Sequence, residues 1–547
     1  MSNKKGTFSA LIFLAFSAIL LYTGCASRQL PQGGPRDHDP PKLLKATPEN
    51  MTRFFKEKTI KLDFDEYFKL TNPFSEITMS PTPARLPEYK VKDKSLIIDI
   101  KDTLEDNTTY VINFGKAIAD VNESNVLKNF TYVFSTGAHI DSLSISGTVI
   151  NTTTQKKEKD VTVMLFTLKQ DSLLFGKKKP TVFATTDTSG NFSLNNLHPD
   201  DYRIYALKET SPNKIFDRDD ELIAFSSNVI HLTKDTSNVQ LNLFRQNPEK
   251  FRLIGPRFDP DGKLSFVFNR RLDSPQLRVI YPPDFDKYKI VDMAPTRDTA
   301  LLYMRNMQFD SIAVAIYDHG APLDTFSHHK RLKESFTRDL SFAYNITGGG
   351  KHKPGTDLLI KANYPIDDFD KSLFTLKDDS TEVVNFTLQK DTVNSKNVVL
   401  KYGWKENHDY TLTLSKGAVT DIYGDKSKTA GKRFTEDKRD NYSLLTLAVT
   451  VPDTSKNYIV ELYNESHQLL RTDVIHKNTQ LLYKNYITGK YAVSVIYDAN
   501  KNGKWDSGNV KKKVQPENIW VDDSIITLRA NWEQVTPIAI PKEPQNN

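Results

Sequence analysis

The 547-residue sequence contains a single cysteine, Cys25. With no second thiol the chain has no internal disulfide framework, so packed cores alone must hold its domains. Patterns that carry catalysis are also missing. There is no Gly-x-Ser-x-Gly elbow, no His-Glu-x-x-His helix and no phosphate-binding glycine loop. Gly348-Gly349-Gly350-Lys351 lacks the hydroxyl residue and spacing of a P-loop and reads as an interdomain hinge. The one adjacent histidine pair, His328-His329, reads as an exposed loop pair, because neighbours on a strand point to opposite faces. Paired acids such as Asp367-Asp368 are too numerous to mark a site. Tryptophan is scarce, and Trp404, Trp505, Trp520 and Trp532 are expected to fill cores. Charge of one sign does not dominate: the net charge is +6. The clusters Lys177-Lys178-Lys179 and Lys511-Lys512-Lys513 read as solvated loop or strand-end charges, and nucleic acid is not an expected partner. The composition therefore predicts a non-enzymatic protein.

At the N-terminus, Lys4 and Lys5 precede an uncharged, almost wholly apolar run from Phe8 to Tyr22. That run is shorter than the roughly 20 residues a spanning helix needs and has the length of a secretory core. Thr23-Gly24-Cys25-Ala26-Ser27 follows and resembles a bacterial lipobox, in which the cysteine is diacylated and becomes the mature N-terminus. The resemblance implies that residues 1–24 are a lipoprotein signal peptide, that Cys25 is the lipidation residue, and that a lipid bilayer is a partner. Two or three acyl chains on one residue give lasting attachment. Residues 25–39 then form the lipidated cysteine and a Gly/Pro-rich flexible tether. Ala26-Ser27-Arg28 lacks the acidic cluster associated with surface export in Bacteroidota, which favours the periplasmic face of the outer membrane over the cell surface.

About 520 residues remain, enough for four or five domains. Runs such as Ile60-Lys-Leu-Asp-Phe64, Leu96-Ile-Ile-Asp-Ile100 and Tyr110-Val-Ile-Asn-Phe114 alternate with period two, the signature of half-buried strands. The predicted fold class is all-β, a tandem of β-sandwiches.

Two internal repeats refine this reading. Glu105-Asp-Asn107-Thr-Thr-Tyr110-Val-Ile-Asn-Phe, leading to Asp120 and Phe134-Ser135-Thr136-Gly137, is echoed by Lys405-Glu-Asn407-His-Asp-Tyr410-Thr-Leu-Thr-Leu, leading to Asp421 and Phe434-Thr435. The pattern resembles the bacterial Ig-like domain of the SbsA type. It implies Ig-like sandwiches at 40–138 and 340–437, with Leu264-Ser-Phe-Val-Phe268 opening a possible third at 250–338. In the second repeat, Tyr202-Arg-Ile-Tyr-Ala-Leu-Lys-Glu209-Thr-Ser211-Pro-Asn213-Lys-Ile-Phe216-Asp217 aligns without gaps on Tyr491-Ala-Val-Ser-Val-Ile-Tyr-Asp498-Ala-Asn500-Lys-Asn502-Gly-Lys-Trp505-Asp506. With Ile145-Ser-Gly-Thr-Val149 and Thr186-Asp187-Thr-Ser-Gly190-Asn-Phe192 upstream, the first copy resembles the carboxypeptidase-regulatory, transthyretin-like sandwich. That resemblance implies one such domain at 141–245, a second at 441–530, and a C-terminal tail at 531–547. The whole arrangement is similar to the Ig-like-domain lipoproteins of Bacteroidota.

The strongest ligand pattern is Asp498-x-Asn500-x-Asn502-Gly503-x-Trp505-Asp506. Oxygen side chains at alternate positions and a turn glycine suit Ca²⁺, which takes six to eight oxygen ligands. The candidate structural calcium set is Asp498, Asn500, Asn502, Lys504 through its backbone carbonyl, Asp506, and Glu517 folding back in place of the missing acid at Asn509. A polar loop held by its own Asx turns is the competing reading. In the first copy Pro212 and the missing glycine favour the plain loop. Asp-Ser/Thr triplets at Thr103, Ser142, Ser172, Thr299, Ser311, Ser380, Thr392 and Ser524 resemble O-glycosylation acceptors of the same phylum. The expected function is a membrane-anchored binding or assembly scaffold within an envelope protein complex. Glycan capture for a polysaccharide-uptake system is the alternative.

Overall fold

The computed structural model describes residues 37–210, 213–330 and 336–544, and the side chains of all of these except 172–174. Cys25, Ser211 and Pro212 lie outside the described residues. The chain is all-β, as its alternating runs predict, and divides into two compact units, 1–140 and 141–547.

In the first unit one antiparallel sheet orders Leu43–Thr47, Thr59–Phe64, Ser95–Asp99 and Glu88–Lys92. A second orders Thr131–Ser135, Thr109–Asn113 and Thr78–Ser80, and a small third joins Phe68–Leu70, Ile118–Asp120 and Val126–Leu127. Alternation dictates the core: Ile60, Leu62 and Phe64 turn inward together, Ile60 and Leu62 pair in register with Ile98 and Leu96, and all meet a core that includes Tyr110, Ile112 and Phe134.

The second unit contains several cores. A sheet of eight strands begins it, in the order Val182–Thr185, Thr162–Thr167, Asp201–Lys208, Leu222–Phe225, Thr236–Arg245, Leu143–Asn151 and Asn191–Leu197, with Ile230–His231 added to Asp201–Lys208. Leu143–Asn151 runs parallel to Thr236–Arg245, and the backbones touch at Gly147. A Cβ there would stand 1.8 Å from the carbonyl oxygen of Val239, so only glycine fits. One face of this sheet wraps a core of Ile145, Val163, Ile204, Leu241 and their neighbours. The other face is apolar as well, with Met164, Phe166, Tyr205, Leu207, Phe225 and Phe244 buried. Both faces of Thr162–Thr167 are therefore covered, which is why its sequence reads Val-Met-Leu-Phe without alternation.

Residues 250–338 hold two sheets around Leu264, Phe266, Leu302, Val314 and Ile316. His328 and His329 lie on the strand Ala321–His329, which corrects the loop expectation. Pairing with Ser311–Asp318 fixes both, and His328 stacks on Phe258 at 4.9 Å. In the next sandwich Gly348–Gly350 is the turn joining Ile346–Thr347 to Lys351–His352 within one sheet, not an interdomain hinge. The last core gathers Leu445, Val460, Val493 and Tyr497. It also takes Ile538 and Ile540 from the stretch expected as a tail: Glu533–Ala539 is a strand parallel to Tyr442–Thr450, because its apolar residues complete that core. Trp404, Trp505 and Trp520 pack on cores, whereas Trp532 is 53% exposed.

The internal repeats recur as hydrogen bonds. The Tyr110 hydroxyl accepts from the backbone N–H of Glu105 at 2.8 Å, and the Tyr410 hydroxyl from that of Lys405 at 2.9 Å. Tyr110 stacks on Phe134 and Tyr410 on Phe434, both at 5.5 Å. Each hydroxyl is thus satisfied five residues back along its own loop, which fixes the entry to the strand.

Candidate functional site

The loop after Gly489–Asp498 is built outward from Asp498, which is fully buried at the strand end. Its carboxylate accepts the backbone N–H of Asn502 at 3.0 Å and of Gly503 at 2.9 Å. Gly503 takes a φ of 73°, the left-handed conformation that lets the chain turn back around the acid. The Asn502 side-chain oxygen accepts from Lys504 N–H, and the amide nitrogens of Asn500 and Asn502 both donate to Asp506. Glu517 folds back as the sequence pattern requires, accepting the N–H groups of Ala499 at 2.9 Å and Asp506 at 3.0 Å. Burial, with the nearby charges of Asp506 and Asp498, pushes the Glu517 carboxyl above its usual range. The Lys504 ammonium reaches out of the loop to Asp273 at 2.6 Å.

Several bonds of this frame recur among the described residues of the 209–217 segment. Glu209 accepts the N–H groups of Asn213 and Lys214, four and five residues on, as Asp498 does from Asn502 and Gly503. Asn213 donates to Asp217 as Asn502 does to Asp506, and accepts from Ile215 as Asn502 does from Lys504. The aligned acid and asparagine positions therefore hold their backbones in the same way in both copies.

The residue types of the 498–517 loop suit a calcium ion, since each carboxylate oxygen that accepts one N–H retains a second lone pair. The arrangement itself is held by N–H donors. Asp498, Asp506 and Glu517 do not converge: among the described residues, the trio of acids or histidines whose ligating atoms lie within 4.8 Å of one another is Asp378, Asp379 and His408. That trio already has its counter-charge. His408 lies 2.6 Å and Lys405 3.1 Å from Asp378, and Tyr402 also donates to it. Burial pushes the Asp378 carboxyl up, yet these donors outweigh it and hold the group below its usual range.

What the loop does visibly is clasp another sandwich. Beyond Asp506 it crosses the outer apolar face of the eight-stranded sheet, where Val510 is buried and Trp505 half-buried among Met164, Phe166, Tyr205, Phe225 and Phe244. Val510 N–H donates to Gln246 at 2.8 Å, Asn247 N–H to the Ser507 hydroxyl at 3.2 Å, and the Gln515 amide to the Phe225 carbonyl at 2.9 Å. Gly508 permits the approach: a Cβ there would stand 2.7 Å from the Phe244 ring and 2.6 Å from the Val514 carbonyl oxygen. Lys513 of the basic cluster belongs to the same contact, which corrects the solvated-charge expectation for that residue, whereas Lys511 and Lys512 are exposed as expected. Lys511 pairs with Glu249 at 3.3 Å. Lys513 donates to the Tyr205 hydroxyl, lies near Asp171, and sits over the Tyr205 ring; burial pushes its ammonium below the usual lysine range. Lys177, Lys178 and Lys179 are exposed. Sequence reasoning missed the clasp, although the unbroken apolar run at 163–166 signals a sheet covered on both faces.

Residues 37–136 match the family of bacterial Ig-like domains. No curated protein matches the chain in sequence. Solved structures similar to it include the TIE protein of Bacillus anthracis, at 10% identity over 93% of this chain and 76% of that one, TM-score 0.14. The major pilin subunit BcpA of Bacillus cereus is 9% identical over 73% of this chain and 99% of that one, TM-score 0.14. The S-layer protein SbsC is 10% identical over 86% and 67%, TM-score 0.14. Likeness at this level carries no argument about function. Among the described residues no helix is long and apolar enough to cross a membrane.

Proposed function

We propose that this chain is a non-catalytic scaffold of the bacterial cell envelope, anchored through acylated Cys25 at the outer membrane with its domains on the periplasmic face. The observation that carries the reading is the clasp. The loop commits its acids to backbone N–H groups and holds another sandwich, which suits a load-bearing arm. The Ig-like match at 37–136 is consistent with binding or assembly, but fold alone does not decide function. In this reading the partner is an envelope protein complex, and residues 141–245 and 441–540 are transthyretin-like sandwiches joined by the clasp.

The same reading includes a structural calcium ion, for which Asp498, Asn500, Asn502, the Lys504 carbonyl, Asp506 and Glu517 would have to draw together and give up some of their N–H contacts. Such an ion would supply only rigidity. Glycan capture is the second reading, and the observation favouring it is Trp532, exposed with Arg529 5.3 Å from its ring centre, a surface on which a sugar ring can stack. Fractionation of a Cys25→Ala variant tests the anchor: release from membranes or accumulation of unprocessed precursor supports it, and unchanged attachment and processing contradicts it. A glycan array without signal removes the second reading.

A further inference from the structure

The end of the first unit at which the chain enters carries an unusual set of exposed side chains. Asp37 accepts a bond from Asn125 through its carbonyl, and Lys42 and Asp65 bind each other's backbone, so the entering chain lies beside the loops around 65–67 and 121–125. Thr59–Phe64 ends here and Ser95–Asp99 begins here. Ring contacts of Phe130 with Phe64 at 6.2 Å and with Phe114 at 5.1 Å bring the corresponding end of the facing sheet to the same place. Phe74, four residues before the strand Thr78–Ser80, is 93% exposed at this end. Tyr67 and Val121, hydrogen-bonded through their backbones at 3.3 Å, are 60% and 48% exposed.

Cys25 lies twelve residues before Asp37. Fully extended, those residues reach about 40 Å. An acylated Cys25 thus keeps this end within that reach of the bilayer surface. Aromatic rings with one polar edge are stable at the headgroup boundary, and Phe gains by leaving water. Lys42, Lys69 and Lys94 are offset by Asp37, Asp39, Asp65 and Glu66, so apolar seating rather than attraction to anionic lipid would drive the contact. We propose that Phe74, Tyr67 and Val121 seat in the headgroup–acyl boundary of the bilayer that holds Cys25 and set how the first unit stands on the membrane. The proposal rests on the lipid-anchor reading.

Because acylation blocks the chain's one natural cysteine, Phe74→Cys, Val121→Cys and Leu86→Cys variants each take a single nitroxide label. Leu86 is the control: it is exposed and precedes Glu88–Lys92 at the opposite end of the unit. The full-length acylated protein is reconstituted into phosphatidylcholine vesicles, recovered by flotation, and assayed for accessibility to oxygen against a soluble nickel complex. The oxygen-to-nickel ratio is expected to be several-fold higher at 74 and 121 than at 86. Equal, water-like ratios at all three sites in floated protein overturn the proposal while leaving the anchor intact. Protein that carries no acyl chain and does not float refutes the anchor, and the proposal falls with it.

Discussion

The backbone N–H of Val510 donates to the side-chain oxygen of Gln246 across 2.8 Å, 264 positions away along the chain. Around this bond the Asp498 loop leaves its own sandwich and takes a seat on a distant one. Its polar half is satisfied internally, and its apolar half is buried on the far sheet.

Gly508 is the point of closest approach. Gly508→Val must displace the Phe244 ring or the Val514 carbonyl and is expected to weaken the clasp by about 1–3 kcal/mol. Protease cleavage within 499–517 should accelerate. Unchanged cleavage would show that the loop does not bear on Phe244.

Tyr110 and Tyr410 anchor equivalent loops through equivalent bonds. Tyr110→Phe and Tyr410→Phe are each expected to lower stability by about 1 kcal/mol, by leaving a backbone N–H without its partner. Denaturant unfolding checks this, and a loss confined to one variant would break the equivalence.

Asp378 supplies a pH dependence. In the folded chain it ionises below its usual 3.8. A carboxylate depressed by folding stabilises the fold above its unfolded value, and that contribution is lost as pH falls through the folded one. Asp378→Asn should therefore be less stable at neutral pH and lose less on acidification below about pH 4. Parallel acid curves for variant and parent would contradict this.

Calcium at the 498–517 loop is tested by chelation. Saturation at about a hundred times Kd would add about 2.7 kcal/mol, reversed by chelator. A calcium ligand must be ionised, and the Glu517 carboxyl is pushed above its usual 4.5, so this gain should fade on acidification at a higher pH than an ordinary glutamate would show. An unchanged melting temperature with chelator, and no ion in the purified protein, removes the ion from the account.

Much of this architecture is legible in the sequence because its determinants are local. Ile60-Lys-Leu-Asp-Phe64 fixes which face is buried, and Tyr110 and Tyr410 reach hydrogen bonds only five residues away. The paired loops at 209–217 and 498–506 are likewise set by neighbours within a few positions. What escaped is what joins distant segments. Nothing near Val510 or Lys513 announces that Phe244 and Tyr205 cover them. Glu533–Ala539 reads as a tail because its pairing partner begins some ninety residues earlier. His328 reads as exposed because its stacking partner Phe258 lies on another strand.

The most direct test of the scaffold account is purification of the tagged chain from crosslinked membranes, with mass analysis of its N-terminal peptide. The account predicts acylated Cys25 and one or more envelope proteins recovered in fixed stoichiometry, with that recovery reduced by Gly508→Val. A chain without acylation that returns no partner above background would contradict it.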